Sequence, residues 1–128
     1  MAVQRIEDLI AWQLANAFKL EVYRLLRVYP AAGQDFGYLD QLRASACSVG
    51  MNIAEGFRRY QSRDFARFLT IALASLSEAM LWLRDGVDRG HFPDHATSEA
   101  LQLARRCHVA TLRLKQSLRT DRGQGRGR

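Results

Sequence analysis

Residues 62–90 read SRDFARFLTIALASLSEAMLWLRDGVDRG. Phe65, Leu69, Ala72, Leu76, Ala79, Leu83 and Val87 recur three and four apart, the spacing that lines one face of an α-helix and that no strand pattern produces. Ser62 is placed to cap this helix, and Asp64 sits in the first turn, where a negative charge suits the helix dipole. Gly90 and Pro93 stop it. A helix this long needs partners that cover its stripe, and the flanking sequence supplies them.

Upstream, Leu39, Leu42, Ala46, Val49 and Ile53 keep the same spacing and predict a helix over 38–55, with Gly56 as its left-handed C-terminal cap. Leu9, Trp12, Ala15, Phe18, Val22, Leu25 and Tyr29 predict a first helix over 8–29, ended by Pro30. The connection through Gly33 and Gly37 is short enough to force an antiparallel return. Downstream, Asp94 or Thr97 can cap a fourth helix, whose stripe is Ala96, Ala100, Leu103, Cys107, Ala110, Leu114 and Leu118. The expected fold is all-α: an antiparallel, up-down-up-down four-helix bundle over residues 1–119. Residues 120–128 form a glycine-arginine tail without apolar side chains and are expected to be disordered.

The 128 residues suit one domain, and 48% hydrophobic against 25% charged residues is the balance of a folded chain. Residues 1–14 mix Arg5, Glu7 and Asp8 with single apolar residues, so no signal-peptide core forms. The most apolar window, 69–83, is interrupted by Thr70, Ser75, Ser77 and Glu78 and falls short of the ~20 residues that span a bilayer. Cys47 and Cys107 have no C-x-x-C partner and lie on apolar stripes, as reduced core thiols of a cytoplasmic protein would.

Asn52 and Glu55 lie three apart on one helix face beside Gly56, and Ser75 and Glu78 repeat the spacing on the next helix. Carboxylates on facing helices build di-iron centres in some bundles, but those sites use Glu-x-x-His, and no glutamate here is followed three residues later by histidine. His91, His95 and His108 are scattered. The expected role of these groups is structural, with carboxylates paired to arginines such as Arg43 or Arg59 and with Asn52 and Glu78 partly buried. There is no Gly-x-Ser-x-Gly elbow, glycine-rich phosphate loop or dinucleotide fingerprint, so neither an enzyme, a cofactor nor a small-molecule substrate is expected.

Trp12-Gln13, Gln41-Leu42-Arg43, Asn52-Ile53-Ala54-Glu55-Gly56 and the run from Phe68 to Glu78 resemble the bacterial four-helix bundle proteins that include those encoded by intervening sequences within 23S ribosomal RNA genes. The resemblance spans about residues 6–118. It implies an antiparallel bundle assembling as a ring-shaped homopentamer. A more distant similarity is to the accessory protein of diversity-generating retroelements, a basic pentameric bundle that works with nucleic acid and a reverse transcriptase. One departure stands out: Gly50 occupies a position where family members commonly have proline.

The net charge is +6, carried by arginines, with lysine only at 19 and 115. An up-down bundle gathers Arg5, Arg58, Arg59, Arg63, Arg67, Arg113, Lys115, Arg119, Arg122, Arg126 and Arg128 at one end, together with Glu7, Asp8, Glu55, Asp64 and Asp121, a basic surplus about as large as the net charge of the chain. The other end collects Asp35, Asp40, Asp85, Asp88, Asp94 and Glu99. Tyr60 interleaves with Arg58 and Arg59 in a pattern that can stack a base while gripping phosphates, whereas Phe57 is expected to pack back on its helix. The candidate nucleic-acid residues are therefore Arg58, Arg59, Tyr60, Arg63, Arg67, Arg119, Arg122, Arg126 and Arg128. Apolar residues off the main stripes, such as Leu101, Leu112 and Trp82, point to contacts between copies. Two functions follow: an oligomeric bundle that binds RNA or DNA with little sequence preference, or a scaffold that binds another protein and uses its charge for steering.

Overall fold

The computed structural model describes residues 5, 6 and 9–125, with side chains described up to Leu118. Four α-helices carry the chain: α1 (Ile10–Val28), α2 (Phe36–Phe57), α3 (Ser62–Asp88) and α4 (Ser98–Gly125), with short 3-10 helices at Pro30–Gln34 and Asp94–Thr97. No strand occurs among the described residues. Each helix packs on two neighbours, α2 most extensively on α3 and α1 on α4, so that α1 and α3 lie diagonally across a four-helix bundle. The apolar periodicity explains the arrangement: Phe18, Val22 and Leu25 of α1, Leu42, Ala46, Val49 and Ile53 of α2, and Leu69, Ala72, Leu76, Ala79 and Leu83 of α3 are all removed from solvent. By its full length and composition α3 is long and apolar enough to cross a membrane, longer than the window read from sequence; its stripe forms the bundle core.

Three local expectations change. The buried line of α4 is Ala100, Ala104, Cys107 and Thr111, while Leu103, Ala110, Leu114 and Leu118 pack at its margin. The small residues win the centre because they let α4 approach α1, where the Cys107 thiol reaches the Ala11 carbonyl at 3.7 Å. Gly56 is not a left-handed cap: it is a buried residue inside α2, and among the described residues Gly90 alone has positive φ, at 83°. A Cβ on Gly56 would lie 2.7 Å from the Phe65 ring and 2.9 Å from the Phe68 Cβ, so this glycine marks a close approach of α2 and α3. Ser62 is the first residue of α3 rather than its cap; Gln61 holds that position without a side-chain hydrogen bond, and Asp64 lies in the first turn as expected. Gly50 continues α2 without interruption, and a Cβ there would meet the Trp12 indole at 3.5 Å, an ordinary packing contact. The helical backbone of α4 continues beyond Leu118 to Gly125.

The end formed by the first and third connections is tied by polar groups from three segments. The Asp35 carboxylate accepts a hydrogen bond from Arg89 at 2.9 Å and pairs with His91 Nε2 at 2.9 Å, while Arg89 also reaches Asp85 at 2.6 Å. The Arg89 guanidinium lies 5.3 Å above the ring of Tyr38, a buried residue whose hydroxyl donates to the Trp82 carbonyl at 2.6 Å. His91 and then Arg89 hold the Asp35 carboxyl below the usual carboxylate range, and burial pushes the Tyr38 phenol well above its ordinary value. Gly86 makes this closure possible, because a Cβ there would collide with the Tyr38 hydroxyl and the Phe92 ring.

Candidate nucleic-acid interface

At the other end, α2 hands over to α3 through a turn of four residues, 58–61. The Arg59 amide caps the Gly56 carbonyl at 3.0 Å, and the Gln61 carbonyl accepts from the Asp64 and Phe65 amides at 3.1 Å, so the turn is fixed by backbone bonds at both sides. Phe57 turns inward and meets Phe65 edge to face at 6.2 Å, as expected for an anchoring aromatic, though its partner belongs to the next helix. Tyr60 has no such shelter; its relative exposure of 105% places the whole ring in solvent.

Arginines flank Tyr60 along the chain. Arg58 and Arg59 share the Glu55 carboxylate at 3.1 and 2.8 Å, and the Arg58 side chain is still 71% exposed. Arg59 and Arg67 lie over Phe68, 4.8 and 5.0 Å from its centroid, so an apolar ring orients two guanidiniums without neutralising them. Arg63 projects from the first turn of α3 into solvent. Such ion pairs on the surface contribute little to stability. The turn and the start of α3 thus carry planar donors and one free aromatic face, a pairing that in other proteins grips phosphate and stacks on a base.

Arg58 and Arg59 therefore meet at Glu55 and Arg59 and Arg67 at Phe68, while Tyr60 and Arg63 are exposed in the turn and the first turn of α3. The Arg119 and Arg122 positions continue the α4 backbone; their side chains, and residues Arg126 and Arg128 entirely, lie outside the described part. The structural motif resolves in two ways. Asn52 donates to the Ser48 carbonyl and hydroxyl at 2.8 and 2.9 Å, and Ser48 bonds Ser75 across the α2–α3 interface at 2.8 Å, which makes Asn52 and Ser75 one polar ladder. Glu55 pairs with Arg59 as expected, and with Arg58. Glu78 departs from expectation: it is exposed and accepts a hydrogen bond at 3.1 Å from Trp82, one turn along its own helix, because its position on α3 faces away from the core.

A second basic feature escaped the sequence. Ile10 and Leu14 of α1 with Val109 and Ala110 of α4 floor a groove of about 380 Å³ edged by Arg105, Arg106 and Arg113. The out-of-phase aliphatics Ile10 and Val109 were its only signal. No group of three His, Cys, Asp or Glu residues that could hold a metal occurs among the described residues.

Comparison with known proteins bears on this architecture. No curated protein matches the chain significantly. A solved structure of a protein of unknown function from the S23 ribosomal protein family of Bacteroides thetaiotaomicron is 18% identical and covers 85% of this chain and 94% of its own, with a TM-score of 0.56, a likeness of fold. A family model described as 23S rRNA-intervening sequence protein matches residues 7–112, so this chain belongs to the 23S rRNA-intervening sequence protein family.

Proposed function

We propose that the chain is a non-enzymatic, homo-oligomeric cytoplasmic bundle that binds RNA or DNA through the α2–α3 tip with little sequence preference. The observation that carries this reading is Tyr60, fully exposed between arginines that the fold does not need. A phosphate backbone supplies the anionic partners that Arg63 and Arg67 lack among the described residues, and any base can stack on a free phenol ring. No side chain at the tip reads base edges from a fixed position, which fits indifference to sequence. The family's link to an rRNA intervening sequence points the same way. Exposed aliphatic residues away from the tip, Leu20 and Leu81 among them, support self-assembly, with a ring of five as the family resemblance implies. A ring multiplies phosphate contacts beyond what one tip can make.

Fluorescence-anisotropy titration of the full chain against single-stranded RNA, duplex RNA and duplex DNA at several salt concentrations tests this. Affinity should fall by about 10³ between 50 and 200 mM salt if some six phosphates are contacted. Removing residues 121–128 should flatten that slope, and neutralising Asp40 and Asp94 at the far end should leave it unchanged. Absence of binding at low salt overturns the nucleic-acid reading and leaves the protein scaffold.

A further inference from the structure

We propose that the seam between α1 and α2 holds a small aromatic carboxylate, its ring against Trp12 and Met51 and its carboxylate on Lys19. Two hollows open along this seam. The first, of about 240 Å³, has Trp12, Asn16 and Lys19 of α1 on one side and Gly50 and Met51 of α2 on the other. The second, of about 450 Å³, has Arg27 and Arg43 in its lining, and Tyr23 belongs to both. The ligand is held here and not turned over, and the site is separate from the α2–α3 tip.

Charge decides the sign of the occupant. Every charged residue lining the two hollows is a cation: Lys19, Arg27 and Arg43. None of the three has an ion-pair partner among the described residues. The described carboxylates of α1 and α2 line neither hollow: Glu21 holds Arg24, Glu55 holds Arg58 and Arg59, and Asp40 is exposed outside them. The Tyr23 hydroxyl pairs with Cys47 Sγ at 2.7 Å, and that bond, then burial, raises the phenol above its ordinary value, so it brings no negative charge at neutral pH. A half-buried ammonium facing no counter-charge favours an anion.

Shape and donors narrow the class. Trp12 is half-buried and Met51 is 70% exposed, so a flat ring between them gains from stacking on the indole and from contact with the thioether. Gly50 keeps the space open: a Cβ there already meets the indole at 3.5 Å, and a longer side chain would crowd the ring. The first hollow is smaller than the ~300 Å³ at which sites for drug-sized ligands begin, which limits the ring system to one or two fused rings. Asn16 lies three residues before Lys19 on the same helix face, and its side-chain amide has no hydrogen-bond partner among the described residues. One ammonium with one amide matches a single negative charge shared by two acceptor oxygens.

The probe is 2-naphthoate, with 2-naphthylmethanol as its neutral counterpart, titrated calorimetrically into the full chain while iodoacetamide labelling of Cys47, which lines the same hollow, is followed by peptide mass spectrometry. Naphthoate should bind at least about tenfold more tightly than the alcohol, the worth of one charge-assisted hydrogen bond, and should slow Cys47 labelling in proportion to occupancy. Lys19→Gln should erase the preference for the acid while leaving the alcohol's affinity unchanged. Gly50→Leu, which fills the hollow and gains helix propensity, should abolish both binding and protection with an unchanged helical circular dichroism spectrum. No binding at millimolar naphthoate overturns the proposal, as does binding that leaves Cys47 labelling at its free rate. Equal affinity for acid and alcohol, or a Lys19→Gln chain that still prefers the acid, overturns the anionic class.

Discussion

The two ends of the bundle handle charge in opposite ways. At the end of Asp35 and Arg89, two carboxylates, a guanidinium and an imidazole satisfy one another over the rings of Tyr38 and Trp82, and the network joins the first connection to the end of α3. At the tip, one carboxylate serves both Arg58 and Arg59, Arg67 lies over Phe68, Arg63 is exposed, and the Tyr60 ring stands in solvent. The first arrangement holds connections in place. The second ties no connection to a neighbouring helix beyond the turn itself, and on the reading proposed above its ring and cations serve a partner. Substitutions at one end should therefore be read in stability, and at the other in binding.

The largest expected effect separates the two. Replacing Arg58, Arg59 and Arg63 with glutamine removes about half of a six-phosphate site and should weaken single-stranded RNA binding about 100-fold near 100 mM salt. The melting free energy should stay within about 0.5 kcal/mol of wild type, as for other surface changes. Equal losses in both measurements would erase the distinction between the ends. Next is Gly86→Ala, which forces a methyl group into the Tyr38 hydroxyl and the Phe92 ring. Overpacking costs about 1–3 kcal/mol, against at most ~1 kcal/mol regained in helix propensity, so urea unfolding should shift to lower concentration while nucleic-acid affinity per folded molecule holds.

A smaller loss, about 1 kcal/mol, is expected for Tyr38→Phe, which deletes the hydroxyl bonded to the Trp82 carbonyl. Acid titration sharpens the comparison further. Because His91 and Arg89 hold the Asp35 carboxyl below its unfolded range, the stability it confers is present above about pH 4 and is lost as pH falls through its folded value. Thermal melts from pH 6 to 2 should show that component in the wild type and its absence in Asp35→Asn; parallel curves would remove the network from the account. The smallest effect belongs to Glu78→Ala, an exposed acceptor for Trp82, which should change the stability of an isolated subunit by less than about 0.5 kcal/mol.

Much of this was legible in the sequence, for identifiable reasons. The strict three-and-four spacing of α1, α2 and α3 leaves one face to bury, so Phe18, Leu42 and Leu76 had one place to go. On α4, leucines and alanines offer two adjacent lines, and helix proximity, which a single sequence does not display, selects the smaller side chains. Gly56 shows the same limit. A glycine after a helical run suits a left-handed cap as well as a close crossing, and only Phe65 and Phe68 opposite it decide. The contrast between Phe57 and Tyr60 was readable because a single hydroxyl separates a ring that must be covered from one that tolerates water. The Asp35–Arg89–His91 network was not, since its members lie 54 and 56 residues apart in the chain and none stands in a recognisable pattern. The groove edged by Arg105 and Arg106 needed the correct rotation of α4.

Cys107 gives the bundle a chemical timepiece. Burial lifts its thiol to about 11, so at neutral pH only about one molecule in 10⁴ carries the reactive thiolate, and the surrounding helices bar a reagent from even that fraction. Alkylation must wait until α1 and α4 part, which makes the labelling rate of Cys107 a record of how often the core opens. The half-buried Cys47, beside Tyr23 in the α1–α2 groove, keeps a faster clock set by local motion.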